Sequence, residues 1–133
     1  MRLSHYIHHT HYPLRRPRHL FLRHGYPPAH ADVSAIRQAF QSLKPFNLQG
    51  CEIYTCCEPC PMCLSSIYWA RLDKIYYAAT KLDAANAGFD DDFIYQEFAL
   101  KPEQRKLPMI QALKEESSSP FDIWTKSENK IEY

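Results

Sequence analysis

The stretch Cys51-Glu52-Ile53-Tyr54-Thr55-Cys56-Cys57-Glu58-Pro59-Cys60-Pro61-Met62-Cys63 decides the fold. Apart from Glu52, its first five residues are apolar, aromatic or β-branched, the composition of a buried strand. Pro61 suits the first turn of a helix, where its missing N–H costs nothing. The helix so begun is expected to run to about Arg71. Lys74-Ile75-Tyr76-Tyr77-Ala78-Ala79 then reads as a second strand. Strand, crossover helix and strand make a βαβ unit, so the two strands are expected to be parallel.

Upstream, Val33, Ile36, Phe40 and Leu43 fall at offsets of three, four and three, one apolar helical face. That helix is expected to open at His30 and stop near Pro45. Downstream, a short helix is expected over Asp91–Phe98. Ser119-Pro120-Phe121-Asp122 has the form of a capping box opening a last helix.

The 133 residues, 45% of them hydrophobic, suit one globular domain. No apolar run approaches a membrane span, and no secretory h-region opens the chain. Five cysteines, an odd number, all lie between 51 and 63. Such clustering favours metal ligation in a reducing compartment over a disulfide framework, so the cytoplasm is the expected location.

The formal charge of +1 conceals an asymmetry. Residues 1–30 hold five Arg, all seven His and no acid. Prolines 13, 17, 27 and 28 interrupt the first 28 residues, which lack a sustained helical or strand period. A basic arm for nucleic acid is the lesser reading of this segment. A loosely attached segment, a fused fragment or out-of-frame translation is the favoured one. The expected organisation is therefore an atypical His/Arg/Pro-rich segment at 1–28, outside the fold, and one folded domain at 29–133.

The chemistry follows from placing side chains on these elements. His30 and Asp32 open one helix, while Cys60 and Cys63 stand at the start of another. One imidazole and two thiolates supply three tetrahedral zinc ligands and leave a fourth position open, the arrangement of a catalytic site. Thiolates are favoured at a helix N-terminus, with its unpaired N–H groups. Asp32, two residues beyond the histidine, stands where a proton carrier is needed. Other readings of the cysteines stay open. Cys57–Cys60 or Cys60–Cys63 could be a redox pair, or Cys57 could complete a closed Cys3His structural site.

Taken together, His30-Ala31-Asp32 and Pro59-Cys60-Pro61-Met62-Cys63 nearly match the zinc-deaminase pattern H-x-E…P-C-x-x-C. Residues 29–133 resemble the bacterial guanine deaminases, a branch of the cytidine-deaminase-like fold. The resemblance rests on Ala29–Asp32, on Cys57–Cys63 with Ser66-Ile67-Tyr68-Trp69-Ala70-Arg71, and on Asp83-Ala84-Ala85. It continues through Ala87-Gly88-Phe89-Asp90-Asp91, Phe93-Ile94-Tyr95 and the terminal Glu132-Tyr133. It implies a three-layer α/β/α fold with a mixed sheet, one zinc on His30, Cys60 and Cys63, and hydrolysis of guanine to xanthine and ammonia. Asp32 would carry the proton, Asp91 would assist recognition and ammonia departure, Tyr133 would close over the purine, and Trp69 would line the pocket. The resemblance further implies a homodimer that exchanges its C-terminal segments.

Two departures stand out. Aspartate replaces the glutamate of the pattern at position 32, shortening the side chain by one C–C bond, about 1.5 Å. Residues 1–28 also carry nothing like the N-terminal helix and two strands of the family, nor the asparagine that grips the base. These elements are expected to be missing or replaced, leaving an apolar sheet edge. A non-catalytic zinc-binding protein is the alternative that these departures favour. A deaminase of another amino-purine or a pyrimidine is the alternative among enzymes.

Overall fold

A computed structural model describes residues 6–9, 12–13, 30–43, 46–89 and 91–130. The elements in chain order are β1 (Tyr6–His9), β2 (Tyr12–Pro13), α1 (Ala31–Leu43), β3 (Cys51–Cys57), α2 (Pro61–Trp69), β4 (Lys74–Ala79), α3 (Lys81–Asn86), α4 (Asp92–Ala99) and α5 (Ser119–Lys126). The chain divides into two compact units, residues 1–95 and 96–133.

The first unit is built on a mixed four-stranded sheet in the order β2-β1-β3-β4. β3 and β4 run parallel, with Ile53 opposite Ile75 and Tyr54 opposite Tyr76. This is the expected βαβ crossover through α2. Burial alternates along β3 with the period of a strand: Cys51, Ile53 and Thr55 are buried, and Tyr54 is exposed. The inward face packs with Ala35, Ile36 and Ala39 of α1, Ile67 of α2, and Leu48 and Ala70 in the connections. Tyr54 and Tyr76 stack on the other face, 4.6 Å between ring centroids.

The N-terminal segment departs from expectation. β1 pairs antiparallel with β3, Ile7 opposite Ile53, and β2 pairs antiparallel with β1. The edge of β3 is therefore covered, and part of residues 1–28 belongs to the sheet. Strand pairing is satisfied by backbone groups and does not require an apolar alternation. That is why the missing period misled. Pro13 falls on the outermost strand, where its lack of an N–H costs no interior ladder bond.

α1 begins after His30, whose carbonyl accepts from Ser34 N at 3.0 Å. α2 stops at Trp69, two residues short of expectation, in a Schellman turn. Arg71 takes a left-handed φ of 59°. Its N–H donates to Tyr68 O, and Leu72 N donates to Ile67 O.

α3 was not expected. It carries the reciprocal capping box of this chain: Asp83 N donates to Thr80 Oγ1 at 3.2 Å, and Thr80 N donates to Asp83 Oδ2 at 2.8 Å. α5, where the capping box was expected, instead has Ser118 as its N-cap and no side-chain cap bond. Ser118 lies in the helical region, φ −76° and ψ −26°, so the chain turns into α5 without the extended cap geometry.

Described by itself, the second unit consists of short pieces. Two 3-10 turns, Pro102–Gln104 and Lys114–Glu116, precede α5. Glu97 Oε2 accepts from Lys106 N at 2.7 Å, and Arg105 Nε donates to Glu97 O at 3.1 Å. Phe121, Ile123 and Trp124 of α5 are exposed. None of the described helices is long and apolar enough to cross a membrane.

Candidate metal centre

The starts of two helices converge at one end of the parallel strand pair. His30 precedes α1. Cys60 is the N-cap of α2, and Cys63 lies in the first turn of that helix. His30 Nδ1 stands 3.4 Å from both Cys60 Sγ and Cys63 Sγ. All three ligand atoms lie within 4.8 Å of one another. Tetrahedral zinc with Zn–S about 2.3 Å and Zn–N about 2.0 Å sets sulfur and nitrogen roughly 3.5 Å apart. The donors thus already stand at a zinc-compatible spacing, and their chemistry is that of a borderline-soft metal site.

The thiols are electrostatically prepared. The Cys63 thiol, hydrogen-bonded to Cys60, draws the Cys60 pKa down to about 6 against the effect of burial. The N–H groups of Cys63 and Met62 and the His30 ring act in the same direction. The same bond pushes Cys63 well above the usual thiol range, aided by burial and by the charge of Asp32. One proton is thus held between two sulfurs, and a metal cation would displace it.

Asp32 lies in the first turn of α1 and is only 6% exposed. It raises Cys63 both by charge and by a hydrogen bond, so its carboxylate borders the ligand group. Asp91, half-buried, sits just ahead of α4, and its charge raises both Cys57 and Tyr95. Trp69 ends α2, at the opposite end of that helix from Cys60 and Cys63, and is 65% exposed. Tyr133 lies outside the described residues. Cys57 directs its sulfur to Thr80 O at 3.6 Å and does not join the converging set, which leaves the Cys3His reading without support.

Two residues at the site lie in segments that carry the resemblance, but nothing in the sequence assigned them a role. Glu58 braces the loop ahead of the cysteines: its N–H donates to Ala79 O at 2.8 Å, and its Oε2 accepts from Lys81 N at 3.0 Å. Tyr95 on α4 donates its hydroxyl to Pro59 O at 2.6 Å. Burial, then the negative charges of Glu58, Cys60, Asp91 and Cys57, push its phenol up to about 12. A helical aromatic ordinarily signals packing, so only the three-dimensional fold exposes this bond.

Residues 9–79 match the family model of the cytidine and deoxycytidylate deaminase zinc-binding region. The chain belongs to this deaminase family. Members bind zinc, and the His30, Cys60 and Cys63 group fits one such ion. Among relatives of this deaminase, the guanine deaminase of Bacillus subtilis (strain 168) is 51% identical over 107 residues, 80% of this chain and 69% of the relative. The X-ray structure of guanine deaminase from Bacillus subtilis superposes with a TM-score of 0.90 at 43% identity, covering 98% of this chain and 83% of that one. The cytidine-deaminase-like fold follows from this likeness. The tRNA-specific adenosine deaminase of Aquifex aeolicus (strain VF5) is 39% identical over 62 residues, 47% of this deaminase and 40% of the relative.

Proposed function

We propose that this chain is a zinc-dependent hydrolase that deaminates a free purine base, converting guanine to xanthine and ammonia. The observation that carries the reading is the convergence of His30, Cys60 and Cys63, with buried Asp32 at its border. His30, Cys60 and Cys63 are the residues that would hold the metal. When bound, zinc supplies Lewis acidity that brings the ionisation of a water toward neutral pH.

The chain's own residues do the rest. The Cys63 thiol, and after it the α2 amides and His30, favour the Cys60 thiolate, so a ligand is already charged near neutral pH. Asp32 takes one proton from the attacking water and passes it to a purine ring nitrogen, then carries the proton of the newly added hydroxyl to the amine as the C–N bond breaks and ammonia leaves. Its burial keeps the carboxylate away from bulk solvent. Asp91 hydrogen-bonds the substrate and eases departure of ammonia. Trp69 and Tyr133 line and close the pocket. Supply of Tyr133 from an exchanged C-terminal segment in a homodimer accords with the exposure of Phe121, Ile123 and Trp124 on α5. The five free cysteines accord with a reducing cytoplasm, and the conversion of guanine to xanthine would serve purine catabolism.

Asp32 itself favours a second reading, a zinc-binding protein without turnover, because the shorter side chain reaches less far. Ammonia release from guanine, adenine, cytosine and cytidine by the zinc-loaded chain separates the readings. The proposal expects guanine to exceed the others by at least tenfold, at a rate well below the ~10 s⁻¹ of a typical enzyme. Equal background release from all four would favour the non-catalytic reading. Preference for another base would move the specificity elsewhere in the family.

A further inference from the structure

Cys60 is held from two sides. Towards its C-terminus it caps α2. Towards its N-terminus it depends on the loop Glu58–Pro59, because its own backbone is extended, φ −62° and ψ 166°. Pro59 has no N–H, so its carbonyl is the only backbone group through which Pro59 can be tied down. That carbonyl shares a rigid peptide plane with the nitrogen of Cys60. Tyr95 occupies it, donating its part-buried hydroxyl at 2.6 Å. The ring of Tyr95 is fixed in turn by Lys81, whose Nζ lies 4.4 Å from the ring centroid. The N–H of Lys81 binds Glu58, the residue before Pro59.

Tyr95 also stands one helical turn beyond Asp91, whose carbonyl accepts from Ile94 N at 3.2 Å. A single hydroxyl therefore joins the start of α4, which carries Asp91, to the peptide that carries Cys60.

We propose that Tyr95 is a positioning residue whose hydroxyl anchors the Pro59–Cys60 peptide, fixing the Cys60 sulfur in the metal centre and Asp91 beside it. The inference rests on the metal-centre reading above. Tyr95 touches neither metal nor substrate and acts through Cys60 and Asp91.

Tyr95→Phe tests it, since the ring over Lys81 is kept and only the hydroxyl is lost. Metal is stripped from the full-length chain and from the variant. Each is titrated with zinc against a chromophoric chelator, and separately with cobalt to read its absorption spectrum. The expected result is roughly tenfold weaker zinc binding, shifted cobalt bands, unchanged circular dichroism and a higher KM for guanine. Lys81→Met, which keeps the hydroxyl and the Lys81 N–H but removes the cation from the ring, is expected to weaken zinc binding less than Tyr95→Phe does; a larger loss would overturn the hydroxyl's role.

A purely structural role would lower the melting temperature yet leave affinity and cobalt spectrum intact in a folded chain. Unchanged affinity and spectrum in Tyr95→Phe would overturn the proposal. So would loss of the circular dichroism signal in that variant, which would make the hydroxyl a folding determinant. Failure of the unaltered chain to bind either metal would instead remove the metal-centre reading itself, and this inference with it.

Discussion

Replacing Asp32 with glutamate should raise the rate of guanine deamination. Asp32 is 6% exposed in the first turn of α1, and its carboxylate borders Cys63. Restoring one methylene moves the carboxylate outward by about 1.5 Å along the side chain. A displacement of ~1 Å in a catalytic group costs about 10²-fold in rate. Asp32→Glu is therefore expected to be about 10²-fold faster, equivalent to ~2.7 kcal/mol of activation free energy. The added methylene enters a packed pocket, so the same change should cost about 1–3 kcal/mol of stability. Charge at the helix N-terminus is unchanged, and zinc content should be as well. Asp32→Asn, which removes the proton carrier, should lower turnover by ~10²–10⁴-fold. The assay is steady-state ammonia release at equal zinc loading. An Asp32→Glu variant that holds full zinc, stays folded and is no faster would refute the reasoning. Turnover near 10 s⁻¹ in the unaltered chain would refute it equally.

Ile53→Ala should destabilise the fold by about 2–5 kcal/mol, because Ile53 is fully buried in β3 between β1 and β4. Equilibrium urea unfolding reads the change, and a loss under 1 kcal/mol would contradict the core described. In the metal-stripped chain, thiolate absorbance should retain a step with a midpoint near pH 6, from Cys60. The folded value lies below the ordinary thiol range, so the thiolate's contribution to stability is full above that range. It is lost as pH falls through about 6. Cys63 should remain a thiol well above its usual range. Two thiols both titrating near pH 9 would show that they do not share a proton.

What could be read from the sequence follows the strength of each local signal. α1 and the β3–α2–β4 crossover were legible because periodicity, proline placement and β-branched composition all agreed there. The three metal-centre residues were legible from His30, Asp32 and Pro59–Cys63 falling in one pattern; the C-x-x-C spacing alone left Cys57 an open alternative. β1 and β2 were not, since their pairing depends on backbone partners supplied by β3, and the prolines and histidines around them mask any period. α3 was hidden by brevity. Its capping box uses Thr80 and Asp83, a weaker form of the pattern than one ending in glutamate or glutamine. The same pattern at Ser119 and Asp122 marked the start of α5 correctly, but the cap bonds do not form, because the N-cap is Ser118. In the sequence Tyr95 belongs only to the Phe93-Ile94-Tyr95 run that resembles the family. Nothing linear connects it with Pro59, 36 positions away.

The most direct measurement is metal content. The purified chain should contain close to one zinc per subunit, and Cys63→Ala should lose most of it. Removing one of three protein ligands leaves His30 and Cys60 alone, too few for tight retention. Stoichiometric zinc in the unaltered chain with marked loss in the variant is the predicted result. Full zinc in Cys63→Ala, or none in the unaltered chain, would contradict the account.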